Sequence, residues 1–270
     1  MPSIAINGAR LQYDVAGDGP ETILFIHGLM LASESWAAQR DHFAATYRVV
    51  TYDLRGQGRS EQTRDRLDLD ALAEDAAALI EALNMGPCHV VGFSMGAFIA
   101  MRLAARHADK VRSVALIGPS AEAEEKNNRP RYLLMMALVT LFGPRPLAGR
   151  MMQILFGDTF LDDPDRAAER RKWRQVVDTL PRSVVRAAAA SARRVSMVNE
   201  LPKIVAPTLV ISGAEDRPIS PVLARAVADG IAGAVFHPFA ATGHAVMIER
   251  AGQFNALLET WLETATRQKD

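Results

Sequence analysis

Three residues that lie far apart in the chain have the types needed for nucleophilic catalysis. Ser94 lies in the run Gly-Phe-Ser-Met-Gly at 92–96, Asp216 ends Gly-Ala-Glu-Asp, and His244 ends Thr-Gly-His. A serine hydroxyl is a weak nucleophile at neutral pH, so it needs an imidazole to accept its proton and a carboxylate to orient that imidazole. The sequence therefore predicts a triad of Ser94, His244 and Asp216.

The residues around Ser94 predict the backbone that such a serine requires. A short apolar run ends at 91, an apolar-faced helical pattern begins at 97, and glycines stand at 92 and 96. In a sharp strand-to-helix turn these glycines remove clashing Cβ atoms, and the strained turn exposes Oγ. The amide of Met95 would then point to the developing oxyanion, and the amide of Leu29, after an earlier strand-like run and Gly28, would be the second donor.

The other histidines are interpreted as structural. His27 precedes the predicted acid in the chain, and we expect its ring to hold its own loop by hydrogen bonds. The remaining four lie on predicted helices or strands, without carboxylates or cysteines at the spacing of metal ligands, so we expect surface or packing roles. These four are His42, His89, His107 and His237.

Five motifs, in this order, resemble those of the α/β-hydrolase superfamily. They are HGL at 27–29, DLRGQGRS at 53–60, GFSMG at 92–96, GAED at 213–216 and TGH at 242–244. The resemblance covers essentially the whole chain and is to the small serine esterase and 3-oxoadipate enol-lactonase-like branch. It implies an α/β fold, a mostly parallel sheet with helices on both faces and an inserted helical cap. It also favours Asp216 over its neighbour Glu215, which should point the opposite way, and leaves Glu122 as a weaker candidate for the acid.

Alternating short β-rich runs and helical patterns predict the same kind of sheet. The alternation is interrupted by a stretch with helical patterns alone, and the resemblance identifies this stretch, 121–198, as the helical cap and 1–120 and 199–270 as the core domain. Strands are expected at 4–6, 11–15, 22–26, 48–52, 89–91, 111–117, 208–211 and 234–237. Helices are expected at 37–45, 69–83, 95–107, 221–228 and 253–264 in the core, and at 132–142, 146–156, 164–180 and 184–195 in the cap.

Composition narrows the class of protein. The 31 basic and 31 acidic residues balance, which argues against a nucleic-acid footprint or an anionic-membrane patch and favours a neutral small-molecule enzyme. The single cysteine, Cys88, is interpreted as a buried apolar residue. No apolar window approaches the ~20 residues of a membrane span, and the N-terminal residues do not have a signal-peptide pattern, so we expect a cytoplasmic location. The oligomeric state stays open.

Two further predictions concern side chains near the site. Asp53, Arg55 and Ser60 are expected to brace a glycine-rich loop rather than act in catalysis. In the cap, apolar residues either form a soft wall facing Ser94 or pack the cap onto the core, and packing is favoured. They are Leu133, Leu134, Met135, Met136, Leu141, Phe142, Met151, Met152, Leu155 and Phe156. The basic run Arg170, Arg171, Lys172 and Arg174 is expected to be a solvated helix face, with one of these cations able to reach a substrate carboxylate.

The resemblance implies a hydrolase that cleaves a carboxylic ester or lactone of a small to medium, largely apolar substrate through an acyl-enzyme. No metal or organic cofactor is implied. Two alternatives in the same superfamily stay open, an enol-lactonase and a carbon-carbon bond hydrolase of aromatic degradation. A third, of another class, is a ligand receptor in signalling that keeps the triad but turns over slowly.

Overall fold

The structure, a computed structural model, describes residues 2–124 and 128–267. Eight strands form one sheet: β1 Ser3–Ile6, β2 Ala9–Ala16, β3 Thr22–Ile26, β4 Arg48–Tyr52, β5 Cys88–Phe93, β6 Val111–Ile117, β7 Thr208–Gly213 and β8 Val235–Phe239. Their order across the sheet is β1-β2-β4-β3-β5-β6-β7-β8. β1 pairs with β2, and β2 with β4, in antiparallel fashion, and every other pair is parallel. The predicted fold class is confirmed.

Eleven α-helices lie among the described residues. They are α1 Ala37–Phe43, α2 Leu69–Ala82, α3 Met95–Arg106, α4 Arg129–Phe142, α5 Ala148–Leu155, α6 Asp158–Asp162, α7 Ala167–Asp178, α8 Val184–Ala192, α9 Pro221–Asp229, α10 Val246–Glu249 and α11 Ala251–Arg267. The sequence did not predict α6 and α10, because one turn of helix is too short to establish a 3.6-residue period. Five helices, α4 to α8, lie between β6 and β7 in the chain.

The central strands are buried on both faces because helices cover both sides of the sheet. Alternate residues of a strand therefore enter different apolar cores: Leu24 and Val50 lie in one, Ile23 and Val49 in the other. The first core is closed by α2, α3 and α9, and the second by α1, α11 and part of the cap. Among the described residues, no helix combines the length and the apolar character needed to cross a membrane.

Candidate active site

Ser94 occupies the turn between β5 and α3. Its backbone lies at φ +52° and ψ −114°, a conformation that side-chain-bearing residues rarely adopt. A Cβ on Gly92 would lie 2.4 Å from the carbonyl oxygen of Gly96, and a Cβ on Gly96 would lie 2.2 Å from that of Ile26. The turn is therefore strained at Ser94, and it closes because both flanking residues are glycines, as the sequence predicted.

His244 and Asp216 form a buried pair. His244 follows β8 and Asp216 follows β7, and His244 Nδ1 lies 2.6 Å from Asp216 Oδ2. Because a carboxylate can only accept, Nδ1 carries the proton and Nε2 keeps its lone pair. The other carboxylate oxygen, Oδ1, accepts a hydrogen bond from the amide of Ile219 at 2.8 Å, which fixes the orientation of the acid. The imidazole is thus held in the tautomer that a proton acceptor requires.

Ser94 and His244 line one cavity, with a volume of about 120 Å³. The ring of Phe93 packs against the imidazole with centroids 4.8 Å apart. The structure therefore brings the three predicted triad residues to one edge of the sheet, where the parallel strands end and open α/β sheets bind ligands. Their catalytic roles stay predictions.

The two predicted oxyanion donors flank Ser94. Met95 is the first residue of α3, so its amide cannot bond within the helix. Leu29 lines the cavity together with Ser94. Across residues 2–124 and 128–267, no group accepts a hydrogen bond from either amide. Both amides are therefore able to donate to an oxyanion.

Gly118 is a site residue that sequence reasoning missed. It follows β6, has φ +56°, and donates its amide to the carbonyl of Ile211 at 2.9 Å. A Cβ on Gly118 would lie 2.7 Å from His244 Cε1 and 3.3 Å from Asp216 Oδ2. A glycine immediately after a predicted strand was the available signal, but the sequence could not show that the pair of His244 and Asp216 packs there.

The two alternative acids do not pair with His244. Glu215 points away from Asp216 and binds Thr159 of the cap, accepting from its amide at 2.9 Å and from its hydroxyl at 2.5 Å. Glu122 is exposed and lies beyond the end of β6. Of the three carboxylates, Asp216 is the one that contacts the imidazole, and its role as the acid stays a prediction.

His27 has the structural role that was predicted. Its buried ring accepts from the amide of Leu54 at Nε2 (3.0 Å), which leaves Nδ1 to donate to the carbonyl of Gly28 (2.8 Å). Burial lowers its pKa and favours this neutral ring. The ring therefore joins the loop that carries Leu29 to the loop that follows β4.

The glycine-rich loop is braced by the three residues expected to do so. Asp53 accepts from the amides of Ser33 (2.7 Å) and Arg59 (2.8 Å), and Ser60 Oγ donates to the carbonyl of Asp53 (2.6 Å). Arg55 is buried against Asp75 of α2, with Nε 2.7 Å from Oδ2. These contacts confirm the prediction, although the partner of Arg55 was not foreseen.

The apolar residues of the cap have three different destinations. Met135, Met136, Met151 and Leu155 line the cavity. Met152 and Phe156 are buried in the second apolar core. The remaining ones, all on α4, are exposed to solvent: Leu133, Leu134, Leu141 and Phe142. Neither prediction for this set holds for all its members, because one helix presents opposite faces to the cavity and to solvent.

One cation lines the cavity, and it is not one of those predicted. Arg194 Nη1 lies 2.5 Å from Glu124 Oε2, the two side chains are 7% and 10% exposed, and the guanidinium lies over the ring of Phe98. Both Arg194 and Glu124 line the cavity, whereas the basic run on α7 does not. The cavity therefore has one polar, charge-compensated patch in an apolar wall.

Glu249 is a second buried carboxyl near His244. It accepts from the amide of Gly243 at 2.9 Å and from the amide of Gly157 in the cap at 3.3 Å. Burial raises its pKa to about 7. The amide of Ala245 also donates to the carbonyl of Leu155 at 2.8 Å. The loop that carries His244 is thus attached directly to the cap.

The remaining histidines and the cysteine lie away from the cavity. His42, His89 and His107 each have a carboxylate within 3.5 Å, which their sequence neighbours did not indicate. Within the described part of the chain, no group of three His, Cys, Asp or Glu residues could hold a metal ion. Cys88 is buried, as predicted, and burial raises the pKa of its thiol to about 12.

Known proteins of similar sequence and structure share this architecture. Residues 21–251 match the family described as alpha/beta hydrolase fold. The dihydrolipoyllysine-residue acetyltransferase component of the acetoin cleaving system of Cupriavidus necator is 30% identical over 95% of this chain and 67% of that protein. A malate-bound thermophilic esterase from Thermogutta terrifontis superposes with a TM-score of 0.89 at 26% identity, over 98% of this chain and 99% of the esterase. The enol-lactonase from Burkholderia xenovorans LB400 superposes with a TM-score of 0.88 at 27% identity, over 97% and 100%.

Proposed function

The chain belongs to the α/β-hydrolase family, and we propose that it is a serine hydrolase that cleaves a carboxylic ester or lactone through an acyl-enzyme. The observation that carries this proposal is the strained Ser94, which faces the same cavity as an imidazole bound to Asp216. Strain at one serine alone would have no chemical consequence. Strain beside an oriented proton acceptor is what a serine nucleophile needs.

The proposed reaction has two steps. Ser94 Oγ attacks the carbonyl carbon while His244 Nε2 accepts the hydroxyl proton, and the amides of Leu29 and Met95 hold the oxyanion. The carbon-oxygen bond to the leaving group breaks, and His244 returns its proton to that oxygen. Water, activated by His244, then attacks the acyl-enzyme and releases the acid together with free Ser94. Asp216 holds the ring through the hydrogen bond to Nδ1 and stabilises the imidazolium.

The cavity supports an acyl or alcohol group of small to medium size and largely apolar character. Its wall includes Met135, Met136, Val139 and Met151, and the flexible methionine side chains can adapt to apolar groups of different shape. The pair of Arg194 and Glu124 adds one polar patch that has no net charge. A neutral ester or lactone with a single polar end fits this wall better than a dianionic substrate, because a buried charge needs an uncompensated partner.

The likeness to an enol-lactonase favours lactones as the second substrate class. A lactone carbonyl is attacked in the same way, and its leaving oxygen stays tethered to the acyl-enzyme. Lactones therefore belong in the first substrate panel. The carbon-carbon hydrolase alternative uses the same three residues and is favoured if the wild type turns over neither the esters nor the lactones.

The test is hydrolysis of p-nitrophenyl esters from acetate to decanoate, and of short lactones, by the wild type and by Ser94→Ala. The exposed Ser3→Ala is the matched control, because it removes the same hydroxyl far from the cavity. We expect multiple turnovers by the wild type and by Ser3→Ala, and a loss of about 10⁴-fold or more in Ser94→Ala. Equal activity of both variants would contradict the proposal, and a single slow turnover would favour the receptor alternative.

A further inference from the structure

Helix α4 of the cap has an apolar face that no part of the described chain covers. Tyr132, Met135, Met136 and Val139 point to the cavity. On the opposite side the side chains of Leu133, Leu134, Leu141 and Phe142 are 62–65% exposed. Within residues 2–124 and 128–267, no leucine or phenylalanine other than these four is exposed. Clustered exposed apolar side chains of this size mark an interaction surface.

The segment of the chain that carries this face has a net positive charge. Residues 121–198 contain 14 Lys and Arg against 9 Asp and Glu, whereas the rest of the chain contains 17 against 22. The neutral chain thus divides into a region of +5 and a region of −5. From position 126 to 157 the sequence has five basic residues and no acidic residue. The overall balance, which argued against an anionic-membrane patch, conceals a basic cap.

Cations flank both ends of the apolar face. Arg131 lies in the first turn of α4, Arg145 follows its last turn, and Arg182 Nη1 donates to the carbonyl of Thr140 in that last turn at 3.0 Å. All three arginines are exposed, and no carboxylate of the described residues forms an ion pair with them. The face is therefore apolar at its centre and positively charged at its ends.

We propose that the outer face of α4 docks onto a lipid surface that contains anionic headgroups. Apolar side chains of an interfacial helix enter the boundary between headgroups and acyl chains, while flanking arginines bind the headgroup phosphates. At 14 residues, α4 is too short to span a bilayer, so it would lie in the plane of the interface. Docking there would place the cavity, which the inner face of α4 lines, one helix diameter (~10 Å) from the lipid.

A second copy of the chain fits this face less well. In a twofold-symmetric dimer the same patch meets itself, and the arginines of one copy would face those of the other. Like charges brought together without counterions oppose association. Anionic headgroups complement both the centre and the ends of the face, and a second copy complements only the centre.

The test is sedimentation with sucrose-loaded vesicles of phosphatidylcholine alone and of phosphatidylcholine mixed with phosphatidylglycerol. We expect binding of the full chain to the anionic vesicles to exceed binding to the neutral ones by about tenfold or more. Raising the salt from about 0.05 M to about 0.5 M should weaken it, because screening removes the electrostatic part. Binding is read without any substrate, so its failure and the failure of the proposed hydrolase are distinguishable.

Two pairs of variants separate this face from the rest of the surface. Leu133→Ser/Leu141→Ser removes apolar area from α4. Its control, Val205→Ser/Val222→Ser, removes apolar area from two solvent-exposed positions of the core domain. Arg131→Gln/Arg145→Gln removes two charges beside α4, and Arg10→Gln/Arg66→Gln removes two exposed charges elsewhere. We expect each α4 variant to weaken vesicle binding about tenfold and each control to leave it unchanged.

Three results would overturn the proposal. The first is no sedimentation with anionic vesicles at low salt. The second is equal loss in the α4 variants and their controls, which would indicate nonspecific adsorption. The third is a wild type that does not bind vesicles but forms a concentration-dependent dimer in analytical ultracentrifugation. In that case Leu133→Ser/Leu141→Ser would abolish the dimer. Circular dichroism shows whether each variant is folded, and the charge variants keep the test decisive if the serine variants unfold.

Discussion

Polar side chains at the carboxyl edge of the sheet are buried and hydrogen-bonded, whereas the cap meets the core through apolar packing and through hydrogen bonds that are mostly exposed or partly buried. At the sheet edge, His27, Asp53, Arg55 and Asp216 each have defined partners at 2.6–3.0 Å. The cap also forms hydrogen bonds with the core, for example from Ser183 to Gln62 and from Thr159 to Glu215, but these two lie at exposed positions. Directional bonds fix atoms to within the tolerance of catalysis, while apolar packing tolerates changes of shape. This difference agrees with the proposed function, in which the core would position the reacting groups and the cap would select the substrate.

The largest expected effect distinguishes Asp216, which binds His244, from its neighbour Glu215, which binds Thr159 of the cap. Asp216→Asn leaves the geometry intact but allows the wrong tautomer of His244, so kcat should fall by about 10⁴-fold. Glu215→Gln alters only a contact with the cap and should change kcat by less than about tenfold. Steady-state hydrolysis of an active p-nitrophenyl ester measures both. Similar losses in the two variants would mean that the cap contact is as important as the acid.

The next prediction compares a core ion pair with a cap ion pair. Arg55 and Asp75 are 1% and 2% exposed, so Asp75→Asn leaves a buried charge unpaired and should lower the free energy of unfolding by about 3–5 kcal/mol. Arg174 and Asp178 in the cap are 46% and 23% exposed, so Asp178→Asn should cost less than about 1 kcal/mol. Urea denaturation gives both values, and a cost of Asp178→Asn equal to that of Asp75→Asn would contradict the contrast.

The junction between core and cap should respond to pH through Glu249. Its pKa of about 7 exceeds the ordinary value of 4.5, so the folded state binds more protons than the unfolded state between these values. The contribution of Glu249 to stability therefore falls as pH rises through about 7. From about pH 5.5 to about pH 8 we expect a loss of roughly 2 kcal/mol.

The measurement is the pH dependence of the free energy of unfolding in the wild type and in Glu249→Gln. The variant should lose this part of the slope, whatever its absolute stability. The exposed Glu259→Gln is the matched control and should keep the slope of the wild type. An unchanged slope in Glu249→Gln would mean that the carboxyl titrates near its ordinary pKa.

A smaller effect tests how precisely the His244 ring must be placed at the carboxyl edge of the sheet. The methyl group of Gly118→Ala would lie 2.7 Å from the His244 ring, so the ring must move, and kcat should fall roughly a hundredfold. Gly233→Ala is the control, because Gly233 also has a positive φ but no atom within 4 Å of the added methyl. Both variants should lose about 1 kcal/mol of stability to backbone strain, and only Gly118→Ala should lose activity. A normal kcat in Gly118→Ala would show that the imidazole tolerates displacement.

The smallest expected effect concerns the cap wall. Met136→Ala enlarges the cavity, so the ratio of kcat/KM for long over short acyl esters should rise about tenfold. Leu134→Ala removes a similar volume from the outer face of α4 and should leave the ratio unchanged for dissolved substrates. If both variants shift the ratio equally, the inner face of α4 does not select the acyl group.

The sequence predicted the core domain in more detail than the cap. β3, β4 and β6 were predicted with the observed bounds, because short apolar runs ended by turn residues specify buried strands. The glycines around Ser94 and the loop at 53–60 indicated their own conformations, since both depend on neighbours in the sequence. In the cap, α4, α5, α7 and α8 were recognised and the short α6 was not, and the destinations of the apolar residues of α4 and α5 were not predicted. Composition does not tell which face of a helix meets a cavity and which meets solvent.

The sequence by itself determined the fold class, the order of the elements and the candidate triad, because each depends on local periodicity or on motifs in a fixed order. Tertiary structure alone decided the partners across the chain: Gly118 against His244, Asp75 against Arg55, Glu249 between the cap and the His244 loop, and Arg194 in the cavity wall. It also decided that four large apolar side chains of α4 are exposed to solvent. The physical reason is that hydrogen bonds, burial and surface charge depend on distances in space, and residues far apart in a sequence acquire these distances only when the chain folds.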